Sequence, residues 1–287
     1  MRTLRRLCVF IAGALVFSAS HTGQAGADEK PVIQIGYVEG WVDSVAKSNV
    51  AAKIISEKLG FQTRLVPVEA GLMWQGVARG DLDVTLSAWL PVTHAAYLER
   101  FKSQTVDLGP NLTGARIGLV VPDYVDVRSI SDLAGKENLF DDRIVGIDSG
   151  AGVVLRASQA ITAYQLKGYR LVPSSGAGMT AELARAVNAR KPIVVTGWSP
   201  HWMFAKYKLR FLDDPQKVFG EAEHVDTIVS LGLEKKAPAV VRFFRQFRWN
   251  PREIDGLLLA VSQGQKADDA AEAWLATHQS RVNEWAR

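Results

Sequence analysis

Sulfur chemistry is almost absent from this chain. Of 287 residues one is cysteine, Cys8, and it falls in a leader-like N-terminal stretch. Everything after that stretch is free of thiols, which excludes disulfides, cysteine-ligated metals and a cysteine nucleophile together. Blocks of like charge are missing too. The formal net charge of +4 includes Arg2, Arg5 and Arg6 at the head, so the remainder is close to neutral, with acids and bases interleaved. A nucleic-acid partner has no electrostatic footprint here. No His-Glu-x-x-His or comparable ligand spacing occurs, and no metal or other cofactor is expected. Repeats, low-complexity segments and long apolar runs are also lacking. The apolar stretch 7–17 falls short of the roughly 20 residues that span a bilayer.

What is present begins with a leader. The three arginines, the apolar stretch and Ala25-Gly26-Ala27 read as a signal peptide over 1–27, cleaved near Ala27. The mature chain then starts near Asp28 and is exported. About 260 residues remain, enough for one large domain or two lobes.

From residue 32 short β-rich runs alternate with longer helical patterns, which predicts an α/β architecture with mainly parallel sheets. Strands are expected at 32–38, 63–67, 84–86, 117–121, 144–147, 170–172 and 193–196, with helices at 42–59, 71–79, 91–101, 153–166 and 179–189. The pattern breaks at Asp107-Leu108-Gly109-Pro110 and restarts, which suggests two similar lobes rather than one continuous sheet. A strand at 225–231 precedes a helical tail with Phe243, Phe244, Phe247, Leu257, Leu258 and Trp274 at helical spacing. That tail needs a sheet to pack on and is assigned to the first lobe. The expected organisation is lobe I over 28–111, lobe II over 112–220, and a return to lobe I over 221–287. Two crossings make a hinge that can close on a ligand.

Eight tryptophans are scattered through the chain. Trp41, Trp89 and Trp198 each follow a β-like run, the latter two leading into Trp89-Leu90-Pro91 and Trp198-Ser199-Pro200. In α/β sheets the carboxyl ends of strands are where ligands bind. Aromatic faces gathered there attract a cation, best of all a quaternary ammonium.

Several ordered blocks then resemble the substrate-binding proteins of ABC importers for glycine betaine and related compatible solutes. They are Gln75-Gly76-Val77-Ala78-Arg79-Gly80-Asp81-Leu82-Asp83-Val84, Trp89-Leu90-Pro91-Val92-Thr93-His94, Asp107-Leu108-Gly109-Pro110, Gly118-Leu119-Val120-Val121-Pro122, Gly146-Ile147-Asp148-Ser149-Gly150-Ala151-Gly152, and the run from Val195 to Tyr207. The resemblance implies a periplasmic-binding-protein-like fold, with two α/β lobes, a two-crossing hinge and the ligand in the cleft. It implies a periplasmic, monomeric receptor that does no chemistry on its ligand and delivers it to the membrane permease. It also implies a cage of Trp41, Trp89 and Trp198 around the quaternary ammonium. The ligand carboxylate is expected on the backbone amides of Gly152 and Val153 and on His94.

Each residue has a plainer reading. His94 could be a helix residue satisfied by a backbone carbonyl, and His201 an N-terminal helix residue. Trp202 is expected to prop the cage, and Trp74 to pack. Trp249, Trp274 and Trp285 are expected in the core or at the surface, and His224 and His278 at the surface. Asp43 either reaches the cation, as in choline-selective relatives, or caps the helix that starts beside it. Choline, proline betaine and carnitine are rival ligands. An exported hydrolase is a remote alternative, since Ser149 lacks the Gly-x-Ser-x-Gly elbow. Intact cage tryptophans argue against a sensor or adhesion module that has lost binding.

Overall fold

The computed structural model describes residues 30–287, so the expected leader lies outside the described residues. β1 (Ile33–Tyr37) leads through a Gly-Trp turn into α1 (Val42–Leu59), then β2 (Thr63–Pro67), α2 (Ala70–Arg79), β3 (Val84–Leu90) and α3 (Ala95–Phe101). α1 stops at Gly60, which adopts φ 69° and turns its amide back to the Ile55 carbonyl, a left-handed end that glycine accepts without a Cβ penalty. β2 and β3 both pair with β1 in parallel.

β4 (Thr105–Pro122) corrects the expected break at Asp107–Pro110. The chain does not leave the sheet there; register shifts absorb the irregular residues inside one long strand. Gly109 and Gly114 sit at positive φ, 83° and 73°, and such bulges bend and twist a strand without ending it. β4 is long enough to serve two sets of partners. Its first part pairs antiparallel with β9 (Glu223–Ser230), up to Ala115 opposite Glu223. From Arg116 it pairs antiparallel with β7 (Val195–Ser199), and its end pairs with β8 (Leu209–Phe211).

Beyond it lie β5 (Arg143–Val145), α4 (Gly152–Ala163), β6 (Arg170–Val172), α5 (Gly176–Asn188) and the short α6 (Met203–Lys206). The result is one hydrogen-bonded path of nine strands, β2-β1-β3-β9-β4-β7-β5-β6 with β8 against β4. This replaces the expectation of separate, mainly parallel sheets. Pairing is parallel at the β-α-β units of each half and antiparallel wherever β4 or β9 takes part. β4 and β9, the strands that carry the chain between halves, run against every strand they pair with.

After β9 come α7 (Leu233–Lys236), α8 (Pro238–Gln246), α9 (Pro251–Ser262), α10 (Ala267–Thr277) and α11 (Gln279–Trp285). This tail lies against the first half. Lys53 of α1 pairs with Asp268 at 3.1 Å, and the Trp249 amide donates to the Asn111 carbonyl at 2.7 Å. Phe247, Trp249, Trp274 and Trp285 pack ring on ring at its centre. Among the described residues no helix is long and apolar enough to cross a membrane.

Candidate ligand-binding site

The ends of β3 and β7, the start of α1 and the start of α4 converge on a small cavity lined by Trp41, Trp89, Thr93, Ile117, Ile147, Ala151, Gly152, Val153 and Trp198. All three expected cage tryptophans and both expected amide residues are therefore brought together, although Trp41 and Trp198 are 157 positions apart in the sequence. Trp89 and Trp198 sit within their strands, each one residue from the end. The strands run a little further than the sequence suggests, because Leu90 and Ser199 still pair, with His224 and Arg116.

The first half builds its wall on an aromatic column. His94 donates its backbone N–H to the Trp89 carbonyl at 2.8 Å, and its Nδ1 accepts from the Trp89 amide at 3.1 Å and from Trp74 Nε1 at 3.3 Å. An accepting Nδ1 puts the ring proton on Nε2. Burial pushes the His94 pKa down to about 3, so the ring is neutral at ordinary pH. The ring stacks on Trp41 at 5.7 Å, with Tyr97 edge-on at 5.6 Å. His94 stands behind the cavity wall rather than in it, and its Nε2–H is a buried donor with no partner among the described residues.

Thr93 fills the wall between Trp89 and α4, and Glu223 holds it. One oxygen of that carboxylate accepts from the Val92 and Thr93 amides at 2.8 and 2.7 Å, and the other from the Thr93 hydroxyl. Sequence reasoning missed both residues. Thr93 lies inside the Trp89–His94 motif and was within reach; Glu223, 130 residues away, carries no local signal.

The second half contributes Trp198, which pairs across the sheet with Ile117. His201 meets its ring edge-on at 4.5 Å, and Trp202 lies beyond His201 at 5.3 Å. Burial lowers the His201 pKa to about 3 as well, and its Nδ1 accepts from the Met203 amide at 3.1 Å. Trp198 Nε1 is buried without a partner among the described residues. α4 begins after Ala151 with no side-chain cap, so the first amides, Gly152 and Val153, have no intrahelical acceptor and carry the positive end of the helix dipole. A Cβ on Gly152 would collide with the Thr93 side chain and carbonyl, which is why only glycine lets the halves meet there.

Asp43 requires a correction, since it neither lines the cavity nor caps α1. Trp41 is the N-cap residue and offers no side-chain cap bond. Asp43 lies one residue inside the helix, fully buried, and pairs with Lys47 at 3.4 Å. A carboxylate at that position faces the buried lysine one turn on rather than the helix end, while Lys47 donates to Asn111 Oδ1 at 3.2 Å. His278 corrects a second expectation: instead of lying free on the surface, it stacks on Trp274 at 4.2 Å. No histidine among the described residues bonds Ser149; each is engaged elsewhere.

A strand path that bends at a crossing strand, with a small tryptophan-walled cavity between its halves, defines a ligand-binding protein of the periplasmic-binding-protein class. Residues 31–277 match the family model described as the substrate-binding domain of ABC-type glycine betaine transport systems, and the chain belongs to that family. It is a family of transport receptors, not enzymes. The glycine betaine/carnitine transport binding protein GbuC of Listeria monocytogenes is 41% identical over 144 residues, 50% of this chain and 48% of that protein, so the match spans about half the length of that relative. The structure of lactococcal OpuAC, closed on glycine betaine, is 37% identical with a TM-score of 0.85, covering 90% of this chain and 100% of that one. An ABC-transporter choline-binding protein in complex with choline is 27% identical with a TM-score of 0.81, covering 88% and 91%.

Proposed function

We propose that this chain is the extracytoplasmic receptor of an ABC importer for glycine betaine, caging the trimethylammonium group among Trp41, Trp89 and Trp198. The observation that carries the reading is the convergence of three indoles and the free start of α4 on one small cavity. A trimethylammonium group has no N–H to donate, so shape and the negative faces of rings select it, each ring adding ~0.5–2 kcal/mol when dry. A primary ammonium in the same box leaves N–H donors unpaired, at about 1–3 kcal/mol each. The carboxylate end rests on the amides of Gly152 and Val153. Trp198, in the cavity wall, carries a buried Nε1–H with no partner among the described residues, and His94, behind Trp41, a buried Nε2–H likewise; a donor in the wall suits an anionic ligand end better than the hydroxyl of choline.

In this reading the lobes are 28–111 with 221–287, and 112–220. The change of partners along β4 between Ala115 and Arg116 and the close meeting of Thr93 with Gly152 support closure about that crossing. The receptor works as a monomer in the periplasm after loss of its leader and hands the ligand to the membrane permease. Choline is the second reading, supported by the likeness to the choline-binding structure. Tryptophan fluorescence titrated side by side with glycine betaine, choline, proline betaine and glycine tests both. Saturation by betaine at the lowest concentration with no response to glycine is expected; a preference for choline would replace the first reading with the second, and no response to any quaternary amine would end both.

A further inference from the structure

Trp41 makes a contact that a cation cage does not require. Its indole Nε1 donates across the cleft to Asp148 Oδ2 at 3.4 Å. The donor sits at the head of α1 in the first half, and the acceptor follows β5 in the second, next to the cavity-lining Ile147. Two other bonds cross nearby, Tyr97 Oη to the Gly150 carbonyl at 3.2 Å and Arg156 to the Val92 carbonyl at 2.9 Å. Both end on backbone oxygens, which any sequence supplies. Trp41–Asp148 is the one cross-cleft pair, among the described residues, in which both partners are side chains of the halves that close. It is also the one that brings a carboxylate against a ring of the cage.

We infer that Asp148 is a positioning residue for the cation site, one that fixes the Trp41 ring plane and sets a negative charge behind it only when the second half closes on the first. An indole whose N–H is bonded to an anion has its electron density pushed toward the ring faces, and a bond to an ionised acceptor is stronger than one to a neutral acceptor. The carboxylate also attracts the bound cation directly through a half-buried, low-dielectric wall. Closure and completion of the cation site thereby become a single event: with the halves apart, Trp41 loses its acceptor and the site loses its anion. Asp43, the acid that the sequence offers beside Trp41, cannot do this, because it is buried against Lys47. This inference rests on the caged-cation reading.

The test compares the wild type with D148N, which keeps an acceptor oxygen but drops the charge, and D148A, which drops both. Glycine betaine affinity is read by calorimetry, and the Trp41 contact by the indole N–H resonances in a nitrogen-15 spectrum of the liganded protein. D148N is expected to keep the shifted indole signal yet bind betaine about tenfold more weakly, with D148A weaker again and without the signal. D148N that binds betaine as tightly as the wild type would overturn the inference, as would a D148N whose weakening comes with loss of the indole signal, which would make Asp148 a structural prop alone. A wild type that binds no quaternary amine would instead defeat the caged-cation reading itself.

Discussion

Two aromatic assemblies in this molecule use the same side chain to opposite ends. Around the cavity, Trp41, Trp89 and Trp198 surround a hollow and are backed by histidines, His94 against Trp41 and His201 against Trp198. In the tail, Trp249, Trp274 and Trp285 close on one another and on Phe247, with centroids 4.7 to 5.6 Å apart and no space between. Burial does not tell the two apart, since all six rings are buried. What differs is the element that presents them. The tail rings come from α10, α11 and the loop between α8 and α9, which close on a shared seam and pack solid. The cage rings come from the carboxyl ends of β3 and β7 and from the head of α1, where rings from the two halves meet across a gap.

Removing one ring from each assembly separates the two roles. Trp285→Ala should destabilise the fold by about 3–5 kcal/mol, as large core truncations do, read from urea unfolding, while the folded fraction binds betaine with unchanged affinity. Trp89→Ala should do the reverse, costing about 2 kcal/mol of binding, or some thirtyfold in affinity, with little change in the unfolding midpoint. If either substitution moved both readouts equally, the division into solid and hollow assemblies would fail.

A third prediction sharpens the role of the histidines behind the cage. Folded His94 and His201 both titrate at about 3, against about 6.5 in an unfolded chain. Between those values the unfolded state binds more protons, so stability rises with pH. The contribution of each ring is complete above about pH 6.5 and is lost toward pH 3, at about 1.4 kcal/mol per unit. Asp226, on the crossing strand β9, works in the opposite sense. Burial raises it to about 6, so the folded state binds the extra proton between roughly pH 4 and 6 and stability falls as pH rises through that window. Two rising terms against one falling term leave a slope toward lower stability on acidification. Unfolding midpoints measured from pH 7 to 4 should show this slope in the wild type and a steeper one in Asp226→Asn; an unchanged slope in that variant would remove Asp226 from the account.

Most of the architecture was legible because hydrophobic period and turn residues act locally. The helix at 42–59 and the strands at 63–67 and 170–172 coincide with α1, β2 and β6 to the residue. The long β4 was hidden because Gly109 and Pro110 are turn residues in any short window, and only the facing strand β9, more than 100 residues later, makes them bulges. Trp41, Trp89 and Trp198 could be picked as a group from their positions after strands. Glu223 could not, because its work is done on a loop far away in sequence. Asp43 misled for the same reason in reverse: the local pattern says cap or ligand, and the fully buried Lys47 beside it claims the carboxylate.

The smallest expected effect separates the two ends of the ligand. His94→Ala leaves the Trp89 amide and Trp74 Nε1 without their shared acceptor and takes away the ring on which Trp41 rests, so it weakens the fold and the cage for every ligand alike. That common loss cancels in a ratio. What does not cancel is the buried Nε2–H, which can serve a carboxylate and has less to offer a hydroxyl-ended cation. Glycine betaine should therefore lose about 1 kcal/mol more than choline, near fivefold in relative affinity, when both are titrated by calorimetry against the same variant. Equal losses would mean that the donor never meets the ligand, and that in the first half, as in the tail, the rings behind the wall serve only to hold other rings in place.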